Sequence, residues 1–402
     1  MPRKTLDLQI AGVVQAGNCS GCGACCLLDQ GLEMQLNEHG YARPVRTAPS
    51  ASGTIQAPFE RVCPGVMVQA ARPDGATRHP EMGSALQSWQ AWATDPEIRY
   101  LGSSGGVITA LLSWLVRTQR VTEVIAATKS ERDPRRTVTV SLRTPTGVIE
   151  AAGSRYAPVS NAARAALGRS DVAFVGKPCE VAALRALAHE TGLEAPLLIA
   201  FFCAGTPSQS ATDALVERLS EGQAVTDLWY RGHGWPGNFT VTTKDGATAG
   251  VTYDKSWGEE LGPTMQWRCK ICPDGVGESA DLVAADYWES DENGYPTFDE
   301  GDGVSALLAR TPRGLNLLRE ALAEGAIAGE DLDLGSLAKV QPLQVDRRQT
   351  LLARLVGARL AGRPVPSYRG FDLVALSPRN PLRLLRIVRG TFQRVRAGRA
   401  KG

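Results

Sequence analysis

The chain has little net charge, no long apolar runs and few histidines. Lys and Arg number 44 against 42 Asp and Glu, a formal charge of +2 over 402 residues, so the sequence as a whole carries no electrostatic footprint for nucleic acid. No stretch approaches the roughly 18 uninterrupted apolar residues of a membrane span. The start, Met1-Pro2-Arg3-Lys4-Thr5-Leu6-Asp7, has no apolar signal-peptide core. Of the four histidines, His39, His79 and His189 sit in polar contexts that suggest no chemistry. With 43% hydrophobic and 21% charged residues, the expectation is a globular protein of a reducing cytoplasm, long enough for two or three domains.

Cysteine is present in groups. Six of the nine cysteines fall into two tight clusters, Cys19-Ser20-Gly21-Cys22-Gly23-Ala24-Cys25-Cys26 and Cys269-Lys270-Ile271-Cys272-Pro273. Two-residue gaps put thiolates on one side of a tight turn, where they can converge on a metal or an iron–sulfur cluster. Cys63, ahead of Pro64, is available as a fourth thiolate for the first group; Cys179 and Cys203 are available to complete the second. One of Cys25 and Cys26 is then left over. A zinc site competes, since separated pairs of cysteines also build zinc centres, but a run of three at this spacing favours a cluster. A disulfide framework does not suit a chain of this length and compartment.

Along the chain, residues 15 to 70 read as cysteine-bearing and irregular, and Ala71 to Thr77 as a turn-rich linker, with regular structure beginning after it. Val107, Ile108, Leu111, Leu112 and Leu115 recur at helical spacing behind Ser103-Ser104-Gly105-Gly106, predicting a helix over 104–118. Val121–Ala127 and Thr137–Leu142 read as strands. Then a plan repeats: strand 171–175 turns through Gly176-Lys177-Pro178-Cys179 into a helix, and strand 196–202 runs past Cys203 into a helix through Leu215 and Leu219. Strands alternating with helices imply an α/β fold, a parallel or mixed sheet with flanking helices. Cys179 and Cys203 are expected at the same carboxyl edge, where open α/β sheets bind ligands; the plainer reading is that both are buried core cysteines.

Five motifs occur in one order: the Cys19–Cys25 run, Ser103-Ser104-Gly105-Gly106, Gly176-Lys177-Pro178-Cys179, Tyr230-Arg231-Gly232-His233-Gly234-Trp235-Pro236-Gly237, and Cys269-x2-Cys272-Pro273-Asp274 before Ala280-Asp281-Leu282. Together, over roughly residues 15 to 320, they resemble the coenzyme F420 hydrogenase/dehydrogenase beta-subunit family. That family also includes 7-hydroxymethyl chlorophyll a reductase and a ferredoxin-dependent divinyl chlorophyllide reductase. The resemblance implies an FAD-containing protein with two 4Fe–4S clusters, one held by Cys179, Cys203, Cys269 and Cys272, the other by Cys19, Cys22, Cys25 and Cys63. It departs from a ferredoxin-type run at Cys26-Leu27-Leu28, which leaves Cys25 against Cys26 open.

Chemistry adds cofactor contacts. A Ser- and Gly-rich helix start suits a pyrophosphate, so Ser103, Ser104, Gly105 and Gly106 are candidates for FAD binding, against the plain alternative of a capped core helix. Arg155 and Tyr156 offer a cation and a ring face to a flavin. Lys177, beside a candidate ligand, and His233, among three glycines, are candidate catalytic groups: one stabilises an anionic flavin, the other exchanges a proton. Asp286 and Trp288 fit a family-like motif. From Pro378 onward there is no acidic residue, while Arg379, Arg383, Arg386, Arg389, Arg394, Arg396, Arg399 and Lys401 accumulate behind a helix start at Asn380-Pro381. Leu385, Val388, Phe392 and Val395 form a stripe, giving a basic amphipathic helix that suits peripheral membrane contact or an acidic partner.

The expected organisation is an N-terminal iron–sulfur cluster-binding region (1–75), an FAD- and cluster-binding catalytic region (76–325), and a helical C-terminal region with a basic tail (326–402). The expected function is an FAD-dependent iron–sulfur oxidoreductase, passing electrons from ferredoxin or another electron-transfer protein through the clusters to FAD and on as hydride to an organic acceptor. Two alternatives are an electron-transfer beta subunit of a larger complex acting on coenzyme F420, and a zinc-stabilised binding protein without redox activity.

Overall fold

The structure is a computed structural model that describes residues 5–398 apart from 51–55, 293, 295, 296, 298–300 and 379. Arg379, Arg399 and Lys401 of the basic tail therefore lie outside the described residues. Eight strands form the central sheet: β1 (Gln87–Ala93), β2 (Glu123–Lys129), β3 (Thr137–Leu142), β4 (Val172–Gly176), β5 (Leu197–Phe201), β6 (Leu282–Asp286), β7 (Ser305–Ala309) and β8 (Ile327–Asp331). Their order is β8-β1-β7-β6-β5-β4-β2-β3. β2, β4, β5 and β6 run parallel to their neighbours in the middle, and β7, β1, β8 and β3 add antiparallel strands on either side, so the sheet is mixed.

The sequence dictates this arrangement locally. β4 and β5 are apolar on both faces, as strands covered on both sides must be, and successive residues go to opposite cores. Ala173, Val175, Leu197 and Ile199 join the helix α1 (Val107–Arg117) and Trp114 on one side. Phe174, Leu198 and Ala200 meet α2 (Pro178–Thr191) through Val181, Leu184 and Leu187 on the other. β3 alternates Thr and Val at the sheet edge, which suits a strand with one unpaired side. The helix α3 (Gln209–Ser220) packs instead on a separate antiparallel sheet of Val225–Trp229, Asn238–Thr243 and Thr248–Thr252, around Leu215, Leu228, Tyr230 and Phe239. The chain closes with α4 (Pro312–Ala323), α5 (Pro342–Leu360) and α6 (Pro381–Arg396).

Regular structure begins earlier than the sequence suggests. Leu32–Leu36 and Ala42–Arg46 pair as an antiparallel hairpin, and Phe59–Val62 forms a helical turn. Met67–Gln69 pairs in parallel with Ser367–Arg369, joining the two ends of the chain. β8 pairs with β1, so the central sheet includes residues beyond 325. Of the Ala280-Asp281-Leu282 motif, only Leu282 belongs to a strand, as the first residue of β6. Asp281 is instead a buried acceptor, taking the Leu198 N–H at 2.9 Å, Arg185 at 2.9 Å and the Thr311 hydroxyl at 2.8 Å.

Candidate functional site

The first cysteine region is a loop folded onto the α2 core. Gly21 and Gly23 sit at φ +71° and +85°, left-handed conformations that turn the chain between cysteines, and a Cβ on Gly23 would come within 2.9 Å of Ala163. The Ser160 hydroxyl donates to the Gly21 carbonyl at 2.8 Å and fixes the turn. Cys19, Cys22, Cys25 and Cys63 line one apolar cavity with Ile10, Val14 and Phe59, and Cys26 lies outside that lining. Burial pushes the Cys22 thiol up to about 11. It raises Cys63 as well, with the charges of Cys22 and Cys19 adding to the effect. Cys25 is raised by the hydrogen bond its thiol donates to Cys26 and by burial, and the same bond lowers Cys26.

The second region gathers distant stretches. Parallel pairing of β4 and β5 puts their carboxyl ends side by side; Cys179 opens α2 directly after β4, and Cys203 follows β5. Cys269 and Cys272 come from the helical turn Trp267–Lys270 and the residues after it, where the Cys272 N–H donates to the Cys269 carbonyl at 3.2 Å. Gly205, at φ +147°, lets the chain after β5 approach: a Cβ there would stand 3.1 Å from Cys269 Cβ. Cys269 Sγ accepts the Thr206 N–H at 3.3 Å and the Gln266 amide at 3.6 Å. The Cys203 thiol is pushed up to about 12 by burial, then by Cys269 and Cys272, with Arg347 and Lys177 opposing. Burial also raises Cys179, and the charges of Glu180, Cys22 and Cys203 add to it.

Arg268 and Gln266, which sequence reading passed over, stitch the two cysteine regions together, and Lys177 sits beside the second. Lys177 is buried, with its ammonium donating to the Val159 carbonyl at 2.5 Å and to Glu180 at 3.0 Å. Burial disfavours its charge, but Glu180 and Cys179 outweigh that and hold its pKa above the usual lysine value. Arg268, fully buried, donates to the carbonyl of Pro64, next to Cys63, at 2.9 Å. Burial works against its charge, and Tyr368, Cys272, Cys179 and Cys269 favour it. Gln266 donates to the Ser20 carbonyl at 3.0 Å and to Cys269, joining the two cysteine regions directly. Both flank Cys269 in sequence, which is the one signal that points to them. Among the described residues no three His, Cys, Asp or Glu side chains stand as ligands of a single metal ion. An all-thiol donor set suits soft metals and iron–sulfur clusters rather than hard cations.

A second locus surrounds Arg231. This buried guanidinium pairs with Asp286 at 2.6 Å, donates to the Pro236 carbonyl at 2.9 Å and lies over the rings of Trp235 and Tyr253. One of its terminal nitrogens, NH2, is buried with no partner. Beside it a cleft is lined by Trp92, Arg99, Tyr100, Trp235 and Asp302. His233, at φ +59°, stacks on Tyr100 with ring centres 5.8 Å apart and meets Trp229 at 3.9 Å; partial burial lowers its pKa.

The remaining candidates are engaged within the protein. Ser103 accepts the Ser154 N–H at 2.6 Å, Ser104 donates to the Val304 carbonyl at 2.7 Å, and the Gly105 N–H donates to Ser305 at 3.0 Å. Gly106, at φ +70°, is the N-cap of α1, and a Cβ there would meet the Ile98 carbonyl oxygen at 2.7 Å. Arg155 donates to Thr137 and to the carbonyls of Leu228, Pro134 and Arg136, while Tyr156 packs edge-on to Tyr230. Trp288 donates to the Gly294 carbonyl at 3.3 Å.

Comparison with known proteins bears on both loci. The family model for the N-terminal part of the coenzyme F420 hydrogenase/dehydrogenase beta subunit matches residues 88–165, and that for its C terminus matches residues 169–334. The coenzyme F420 hydrogenase subunit beta of Methanothermobacter thermautotrophicus is 23% identical over 299 residues, 71% of this chain and 99% of that protein. The F420-dependent formate dehydrogenase subunit beta of Methanocaldococcus jannaschii is 25% identical over 200 residues, 48% of this chain and 52% of that protein. Among solved structures, a chain of the F420-reducing NiFe hydrogenase complex from Methanosarcina barkeri matches 68% of this chain and 96% of its own length, at 22% identity and a TM-score of 0.48. With both halves of the subunit matched in order, the chain belongs to the coenzyme F420 hydrogenase/dehydrogenase beta-subunit family.

Proposed function

We propose that this chain is an electron-transfer beta subunit of a larger oxidoreductase acting on coenzyme F420. The observation that carries the reading is the convergence of Cys179, Cys203, Cys269 and Cys272 from distant stretches, with two N–H donors aimed at the Cys269 sulfur. These cysteines and the set Cys19, Cys22, Cys25 and Cys63 would each hold a 4Fe–4S cluster, which when bound supplies one-electron transfer. Buried thiolates need compensating charge, and Lys177 and Arg268 provide it.

The cleft beside Arg231 is our candidate site for FAD, with Trp92, Tyr100 and Trp235 as ring faces. The start of α1, Ser103 to Gly106, contributes its helix dipole, whereas Arg155 and Tyr156 are engaged away from the cleft lining. Bound there, a flavin converts single electrons into a hydride. Lys177 acts through the charge it brings to Cys179, and His233 exchanges a proton at the mouth of the cleft.

A second reading, a stand-alone FAD-dependent reductase fed by ferredoxin and serving another organic acceptor, draws on the basic helices beyond residue 334, outside the family matches. The test is anaerobic purification followed by mixing of the reduced protein with coenzyme F420. We expect about eight irons and one FAD per chain, and loss of F420 absorbance on mixing. A colourless, zinc-loaded protein overturns both readings. A brown flavoprotein inert toward F420 overturns the first and leaves the second.

A further inference from the structure

Beyond the family matches, α5 and α6 cross closely. A Cβ on Gly357 would come within 2.5 Å of the Val388 carbonyl oxygen. The crossing turns Thr391 and Val395 inward and leaves Leu382 and Leu385 72% and 65% exposed. Around these two leucines the charge is predominantly positive. α6 carries Arg383, Arg386, Arg389, Arg394 and Arg396 with no acidic residue, and α5 adds Arg347, Arg354 and Arg359. Arg348 is buried against Glu278 at 2.6 Å and takes no part. Asp346, the only acid of the two helices, is shared between Arg354 at 3.4 Å and Arg383 at 2.5 Å. Arg354 is disfavoured by burial, eased by Asp346 and pressed further by Arg347 and Arg394. In a chain whose charges otherwise nearly cancel, this is a local excess of positive charge.

The patch lies against the second cysteine region. Arg347 donates to the Cys203 carbonyl at 2.9 Å and to that of Ala204. Arg354 donates at 3.1 Å to the carbonyl of Lys270, which lies between Cys269 and Cys272. We propose that the α5–α6 face is the docking surface for an acidic electron-carrier protein, seated over the Cys203, Cys269 and Cys272 end of the molecule. The proposal rests on the reading that these cysteines hold a redox cluster. A positive face raises the encounter rate with an acidic partner and orients it, and this face orients it toward the cysteines. A lipid surface fits less well: it would take a continuous apolar stripe, whereas Val395 of the expected stripe packs into the core and the exposed leucines of α6, Leu382 and Leu385, sit among arginines.

The test uses the full-length, anaerobically purified holoprotein and a plant-type ferredoxin of strongly negative net charge. Wild type is expected to bind ferredoxin, and its reduction by pre-reduced ferredoxin to slow at least about tenfold from low salt to high salt. The triple variant Arg386→Glu/Arg389→Glu/Arg394→Glu is expected to lose at least about tenfold in the low-salt rate and most of its salt dependence. Its iron content and reduction by dithionite should match wild type. If that variant folds poorly, Arg386→Gln/Arg389→Gln, at two exposed positions, should give a smaller loss in the same direction. Unchanged ferredoxin rates in an iron-replete variant overturn the proposal. So does wild type that sediments with phosphatidylserine vesicles but does not bind ferredoxin. Salt-sensitive ferredoxin binding by a wild type without iron would sustain the surface and sink the cluster reading; iron-replete wild type without binding would do the reverse.

Discussion

The first cysteine region is built from one short stretch, Cys19 to Cys25, plus Cys63, and faces an apolar cavity. The second is assembled from the ends of two parallel strands and a turn near residue 270, and its sulfurs meet N–H donors and cations. One depends on spacing and left-handed glycines, the other on the sheet. Their surroundings also predict different redox behaviour. Hydrogen bonds to sulfur and nearby positive charge stabilise the reduced, more negative state of a cluster, whereas an apolar enclosure disfavours it. The second region should therefore hold the centre of higher potential.

The largest effect that tests this contrast is loss of iron. Cys269→Ser should remove about half of it and leave the spectrum of the other cluster intact, because only the adjoining surfaces of the two regions are shared. Cys22→Ser should do the complementary thing. Iron determination with low-temperature EPR on each variant is decisive: if either substitution empties both sites, the regions are one unit and the comparison collapses.

A finer test lies within the first region. Cys25→Ser should cost that region its iron, while Cys26→Ser should retain nearly all of it, since the cavity is lined by Cys25 and not by Cys26. The reverse result would mean that the 24–27 turn rearranges on metal binding. The smallest effect is a shift in potential. Gln266→Leu removes a donor to Cys269 and the link to Ser20. In a redox titration followed by EPR, the higher midpoint should move to more negative values while the lower one holds. Equal movement of both midpoints would show that Gln266 acts through the fold rather than through the sulfur.

Much of this was legible in the sequence. The 3.6-residue pattern located α1, α2, α3 and α6, and β-branched runs located β2 to β5 within a few residues, because burial on a fixed face imposes those periods. The hairpin at 32–46, the outer strands β1, β7 and β8 and the separate three-stranded sheet escaped, since each draws its burial from partners far along the chain. At the sites, cysteine spacing named the sulfurs but not their neighbours. Gln266 and Arg268 became visible only when folding brought Ser20 and Pro64 to them. The Ser103–Gly106 segment, which reads as an anion cradle, has its hydroxyls and the Gly105 N–H bonded within the protein.

By itself the sequence determined the class of fold, the family and the supply of thiols, because these follow from local periodicity and from which side chains are present. Tertiary structure alone decided that the two cysteine regions adjoin, that Cys25 faces the cavity, that Arg231 is buried against Asp286, and that the basic helix lies over the second cysteine region rather than trailing free. Each of these depends on contacts between residues tens to hundreds of positions apart. Such contacts are fixed by how the apolar faces pack, and no local pattern encodes them.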